Sequence, residues 1–281
     1  WNCSFRHPCA ALFLCQSWKP VTTVQSKEDR IMEKAPIVIN PSAHTATLIF
    51  VHGFGQEVHS VRSLAEGFSQ AMPHLRVVLP SSSGRQTILW NGVERQVPCW
   101  AKHLDQGLDM DDLEASREAL LRLIDAEADA GVPRNRIVVG GFSQGAMLVA
   151  WTCLQQQAPL AGLILFSGGI WHLRQEFNPC QEFLIETSIL LCHGTADITV
   201  QLQNQQKMCA LFKEKGCRDV ELKVIEGLAH SFKGLVEWAE SLNLPLNPAY
   251  SLAAMRLGVE EEFLHARAWL QRVLPAAVSK L

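Results

Sequence analysis

At 281 residues, 48% of them hydrophobic, the chain is long enough for one large α/β domain with a sizeable core. A net charge of −3 with no basic run gives no support to nucleic-acid binding or to electrostatic docking on a membrane. No apolar stretch reaches the length of a membrane span, and nine scattered cysteines without a C-x-x-C pair or zinc spacing suit reduced thiols in a cytoplasmic compartment.

Residues 1 to about 35 combine an apolar run, Cys9 to Cys15, with a polar stretch around Ser26 to Lys34, and are expected to be a poorly ordered leader. Residues 36–281 are expected to form a single domain. Ile37 to Asn40 reads as an edge strand, and Thr47 to Val51 as a more apolar one running into the Gly-rich turn His52-Gly53-Phe54-Gly55-Gln56. A helix is expected over Val58–Met72, with Val61, Leu64, Ala65, Phe68 and Met72 on one face, then a strand at Leu75–Leu79. Residues 80–103 lack strong periodicity and read as a long functional loop, whose apolar members Leu89, Trp90 and Trp100 are candidate substrate contacts. Asp111–Ala130 is an amphipathic helix stopped by Gly131-Val132-Pro133.

Ile137 to Val139 is a β-branched run suited to a buried parallel strand, and Gln144 to Trp151 reads as a buried helix. Between them, Gly141-Phe142-Ser143-Gln144-Gly145 fits G-x-S-x-G. Only glycine leaves room at both ends of so sharp a strand-to-helix turn, which would raise the Ser143 hydroxyl at a helix N-terminus. Further strands follow at Gly162–Phe166, Ile189–Cys192 and Val220–Ile225, with a helix at Gln203–Lys215. Residues 234–258 read as an extra helix-and-loop segment, and Glu260–Leu274 as the closing helix. Alternating strands and helices predict a mostly parallel central sheet with helices on both faces.

Ser143, Asp197 and His230 each follow a predicted strand, in the order Ser, Asp, His. Serine is a poor nucleophile until a base takes its proton. Histidine titrates near neutrality and suits that task, and an aspartate can hold its tautomer and stabilise the imidazolium. The amides of Gln144, after the nucleophile, and of Phe54, after the earlier strand, are the candidate oxyanion donors. Neither H-E-x-x-H nor G-x-G-x-x-G occurs, so no metal or cofactor is implied.

The segments His52-Gly53-Phe54-Gly55, Pro80, Asn91-Gly92, Pro98-Cys99-Trp100, Gly140 to Gly145, His193-Gly194-Thr195-Ala196-Asp197 and Gly227-Leu228-Ala229-His230 together resemble the acyl-protein thioesterase group of the phospholipase/carboxylesterase family of α/β-hydrolases. The resemblance spans about residues 46 to 232 plus the closing helix. It implies the α/β-hydrolase fold, the same triad and oxyanion amides, and a place for Trp100 in a loop bordering an acyl groove. Gln56 stands where the family usually has Asp, Ala146 where a third Gly is common, and Cys99 in place of a frequent Ser. The expected function is cleavage of acyl esters or thioesters, on S-acylated protein or lysolipid, through an acyl-enzyme on Ser143. The alternatives are a carboxylesterase on small esters and a non-catalytic binding protein of the same fold. A monomer or weak homodimer, with at most transient membrane-surface contact, is expected.

Overall fold

The computed structural model describes residues 35–39, 44–90, 92–105, 107–154, 158–169, 185–233, 235–237 and 252–276. The expected leader and most of the extra segment, residues 238–251, lie outside them.

The strands, in chain order, are β1 (Ile37–Ile39), β2 (Ala46–Val51), β3 (Leu75–Leu79), β4 (Gly84–Trp90), β5 (Val93–Cys99), β6 (His103–Leu104), β7 (Gly107–Leu108), β8 (Ile137–Phe142), β9 (Gly162–Phe166), β10 (Ser188–Gly194) and β11 (Val220–Ile225). The α-helices used below, all among the described residues, are α1 (Arg62–Ala71), α2 (Met110–Asp129), α3 (Gln144–Leu154), α4 (Leu202–Glu214) and α5 (Leu252–Val273). Seven strands form one sheet in the order β1-β3-β2-β8-β9-β10-β11, parallel throughout except for the short antiparallel edge strand β1.

The central strands are buried on both faces, so they are largely apolar yet still sort by parity. Ile49, Val51, Ile137, Val139, Leu163, Leu165, Ile189 and Leu191 pack into one core with α2, α3 and α4. Leu48, Phe50, Val138, Ile164, Phe166, Leu190 and Cys192 point the other way, against α1 and α5. Helix α1 lies close to α5 because Gly67 leaves room for the Phe263 ring; a Cβ there would stand 2.9 Å from it. After β2 the chain turns to one neighbour, β3, and later returns to the other, β8. The crevice beyond the carboxyl ends of β2 and β8 is thus the topological switch point, where open α/β sheets place ligands.

Two expectations need correction. Much of 80–103 is not a loop: β4 and β5 pair antiparallel from Gly84↔Cys99 to Trp90↔Val93, with Gly92 at φ +76°. Residues 93–96 of the ribbon are exposed on both faces, so no in–out alternation of apolar residues marked it as strand. The closing helix also begins earlier, at Leu252, and takes in the end of the segment read as helix and loop. Gly258 within it is a packing residue, since a Cβ there would lie 3.1 Å from the Leu228 side chain.

Candidate active site

Ser143 stands between β8 and α3 at φ +55°, a left-handed conformation costly for a residue with a Cβ. The turn is over-determined by its surroundings. A Cβ on Gly141 would meet the Gly145 carbonyl carbon at 2.6 Å, and one on Gly145 would meet the Val51 and His52 carbonyl oxygens at 2.4 Å. The Ser143 amide donates to the Phe166 carbonyl at 2.9 Å, which fastens the elbow to β9.

The loops after β10 and β11 bring the other two residues to this point. Ala196 N–H donates to the Leu228 carbonyl at 3.1 Å, and Gly227 N–H to Thr195 Oγ1 at 2.9 Å, so the two loops are tied together. Gly194 permits that approach, since a Cβ there would overlap the Leu228 carbonyl. The result is a continuous line of contacts. His230 Nε2 lies 2.9 Å from Ser143 Oγ, and His230 Nδ1 lies 2.7 Å from Asp197 Oδ2. Asp197 Oδ1 accepts two backbone bonds, from Thr199 N–H at 2.9 Å and Val200 N–H at 2.8 Å. All three side chains are buried, and Phe142 packs 4.7 Å from the His230 ring centroid. With Asp197 accepting from Nδ1–H, Nε2 is left with its lone pair toward the Ser143 hydroxyl. That arrangement can take a proton from serine and return it to a leaving group.

The loop after β2 is held from several sides. Gly53 N–H donates to Gln56 Oε1 at 2.8 Å, Gly55 N–H to the Pro98 carbonyl at 2.8 Å, and Trp100 Nε1–H to the His52 carbonyl at 2.7 Å. His52 is fully enclosed. Its Nδ1–H donates to its neighbour's carbonyl, Gly53 O, and its Nε2 accepts from Ser82 N–H at 3.2 Å. Burial pushes its pKa down to about 4, so the ring is neutral at ordinary pH. Gln144 closes the clamp: Oε1 accepts from Trp100 N–H at 2.8 Å, and Nε2 donates to the Ala101 carbonyl at 2.7 Å. The Phe54 and Gln144 amides donate to no protein acceptor among the described residues, which leaves both available to an oxyanion.

The structure distributes the other sequence candidates differently. Trp100 is buried, and its indole braces the loop as well as lining an apolar cavity of about 60 Å³ with Val51, Leu120, Leu123 and Leu148. That space is far below the roughly 300–1,000 Å³ of an ordinary ligand pocket. Leu89 is half-buried on β4, paired with Glu94 on β5, and the Trp90 side chain lies outside the described residues. Gln56 supplies an acceptor to Gly53 as an Asp would, but its Nε2 is left buried without a partner. Sequence reasoning gave no role to the Gln144 side chain, to His52 or to His193, which lies 3.3 Å from Asp197 Oδ2. Motif position was the only available signal for them.

No helix among the described residues is long and apolar enough to cross a membrane. A family model described as phospholipase/carboxylesterase matches residues 32–237. An acyl-protein thioesterase 1 of Yarrowia lipolytica is 32% identical over 219 residues, 72% of this chain and 91% of the relative. One of Neurospora crassa is 31% identical over 216 residues, 72% of this chain and 86% of the relative. Among solved structures, Arabidopsis thaliana SOBER1 superposes with a TM-score of 0.62 at 20% identity, covering 82% of this chain and 99% of its own. The Bacillus cereus carboxylesterase gives 0.62 at 18% identity, covering 88% and 97%.

Proposed function

This chain belongs to the phospholipase/carboxylesterase family of α/β-hydrolases and is a hydrolase of esters and thioesters, and from that premise we propose that Ser143, His230 and Asp197 carry its chemistry. The observation that supports this most directly is the unbroken run from Ser143 Oγ through His230 to the Asp197 carboxylate, with both links under 3 Å. Ser143 Oγ attacks the acyl carbonyl carbon while its proton passes to His230 Nε2. The carbonyl oxygen takes up the negative charge against the Phe54 and Gln144 amides. As the tetrahedral centre collapses, the bond to the thiol or alcohol breaks, and that group leaves with the proton from His230. A water molecule then repeats the sequence on the acyl-enzyme and frees Ser143.

The substrate class we infer is an acyl thioester on a protein cysteine, since the relatives named above are acyl-protein thioesterases. A second reading, short acyl esters, is supported by the family description, which takes in carboxylesterases. Labelling with an active-serine phosphonate tests the chemistry. Ser143→Ala is expected to stay folded and lose both labelling and turnover, and equal labelling of the two proteins would overturn the assignment. A panel of monomeric acyl thioesters and oxygen esters of rising chain length separates the two substrate readings. The thioester reading requires kcat/KM to climb with length, each buried methylene contributing about 0.8 kcal/mol, or close to fourfold. A flat profile, with oxygen esters equal to thioesters, leaves the short-ester reading.

A further inference from the structure

Asp197 has a second imidazole beside it. His193, the last residue but one of β10, is fully buried with Nε2 3.3 Å from Asp197 Oδ2, the oxygen that also meets His230. Its hydrogen bond goes elsewhere, to the Val200 carbonyl at 2.7 Å. A carbonyl can only accept, so Nε2 carries the proton. Val200 is also the residue whose own amide donates to Asp197 Oδ1 at 2.8 Å. A path of hydrogen bonds therefore runs from His193 through Val200 to the carboxylate.

We propose that His193 is a positioning residue for the reaction assigned above. By fixing Val200 it fixes the amide that orients Asp197, and its Nε2–H lies 3.3 Å from Oδ2. Burial lowers the pKa of His193, so the ring does this as a neutral donor and adds no second cation beside His230. The inference rests on the triad reading of the site. Core filling is the competing role for a group at this depth, and the two differ in what they predict. A filler changes how much protein folds; a positioning residue changes what each folded active site does.

The test counts active sites by stoichiometric phosphonate labelling and measures kcat per labelled site with a soluble p-nitrophenyl acyl ester. His193→Leu, which keeps the bulk but removes the donor, is expected to lower kcat per site on the order of 100-fold, with KM little changed. His193→Gln, whose amide reaches as far as Nε2, is expected to recover most of that loss. His193→Asn is too short to reach Val200 and should not. Placed on Asp197→Asn, the His193→Leu change should cost no more than about twofold further, because the group it positions is already disabled. Wild-type kcat per site in His193→Leu, additive losses in the double variant, or equal activity of the Gln and Asn variants would each overturn the proposal. The Gln and Asn pair decides the matter if the Leu variant fails to fold. Undiminished labelling of Ser143→Ala would instead remove the triad reading itself.

Discussion

Ser143, His230 and Asp197 are separable by chemistry as well as by position. The Asp197 carboxylate accepts four contacts: two backbone amides on Oδ1, and His230 and His193 facing Oδ2. Asp197→Asn therefore keeps the shape of the site but offers an amide that can donate to Nδ1, favouring the wrong tautomer of His230. By analogy with the serine proteases, kcat is expected to fall by up to about 10⁴-fold while the protein stays folded, and a loss under tenfold would move the role to another group. Gln144→Ala makes a different point. It leaves the Gln144 amide in place and removes the side chain that holds Trp100 and Ala101. The proposed oxyanion donors should then be less well fixed, and kcat should fall more than KM rises. The three proposed catalytic residues could be singled out in the sequence because acyl transfer would dictate their type and their place at strand ends. The Gln144 clamp could not, because its partners lie 43 and 44 residues away and no local pattern records such a bond.

The elements show the same division. Helix α3 is buried along its whole length, and its unbroken apolar run after Gly145 predicted that. Its first turn is pressed so closely on the end of β2 that Gly145→Ala would drive a methyl into two backbone carbonyls at 2.4 Å. Backbone has little freedom to yield, so the variant should lose at least about 1–3 kcal/mol of stability, read from its urea midpoint. A midpoint within experimental error of wild type would mean that α3 can back away from β2. The ribbon of β4 and β5 is the element that periodicity concealed, although Asn91-Gly92 is a hairpin turn signal in its own right. Its far strand carries Glu94, Arg95 and Gln96 rather than alternating apolar residues, and these residues are exposed. At its base the ribbon meets the site, where Pro98 accepts from Gly55 and Trp100 from below braces His52. Gly258 similarly disguised the start of α5, a helix residue chosen for its fit against Leu228 and against its own propensity.

At the scale of the whole molecule, the order of strands follows from hydrophobic runs and crossover rules, which made the α/β architecture readable. The buried titratable groups that the fold tolerates were not readable, and they govern how its stability responds to pH. His52 has a native pKa of about 4 against an ordinary 6.5. Between those values the unfolded chain binds a proton that the native state refuses. The contribution is therefore complete above pH 6.5 and is lost as pH falls toward 4, by about 3 kcal/mol. His193, also lowered by burial, acts in the same direction. Glu262 on α5 has the opposite sign. It is buried with Oε1 unpartnered, and burial, reinforced by the charge of Asp197, raises its pKa well above 4.5. The native state keeps a proton that the unfolded chain gives up above pH 4.5, so this contribution is present below that pH and is lost as pH rises through the native value. Glu262→Gln removes the titration while keeping the shape of the protonated group. It should raise the urea midpoint at pH 7 and leave it close to wild type at pH 4. His52→Gln should do the reverse in slope, flattening the decline between pH 6.5 and 4 whatever its effect at pH 7. Equal destabilisation by Glu262→Gln at both pH values would mean that Glu262 is ionised and paired in the native state, and the predicted loss of stability toward alkaline pH would have to come from another group.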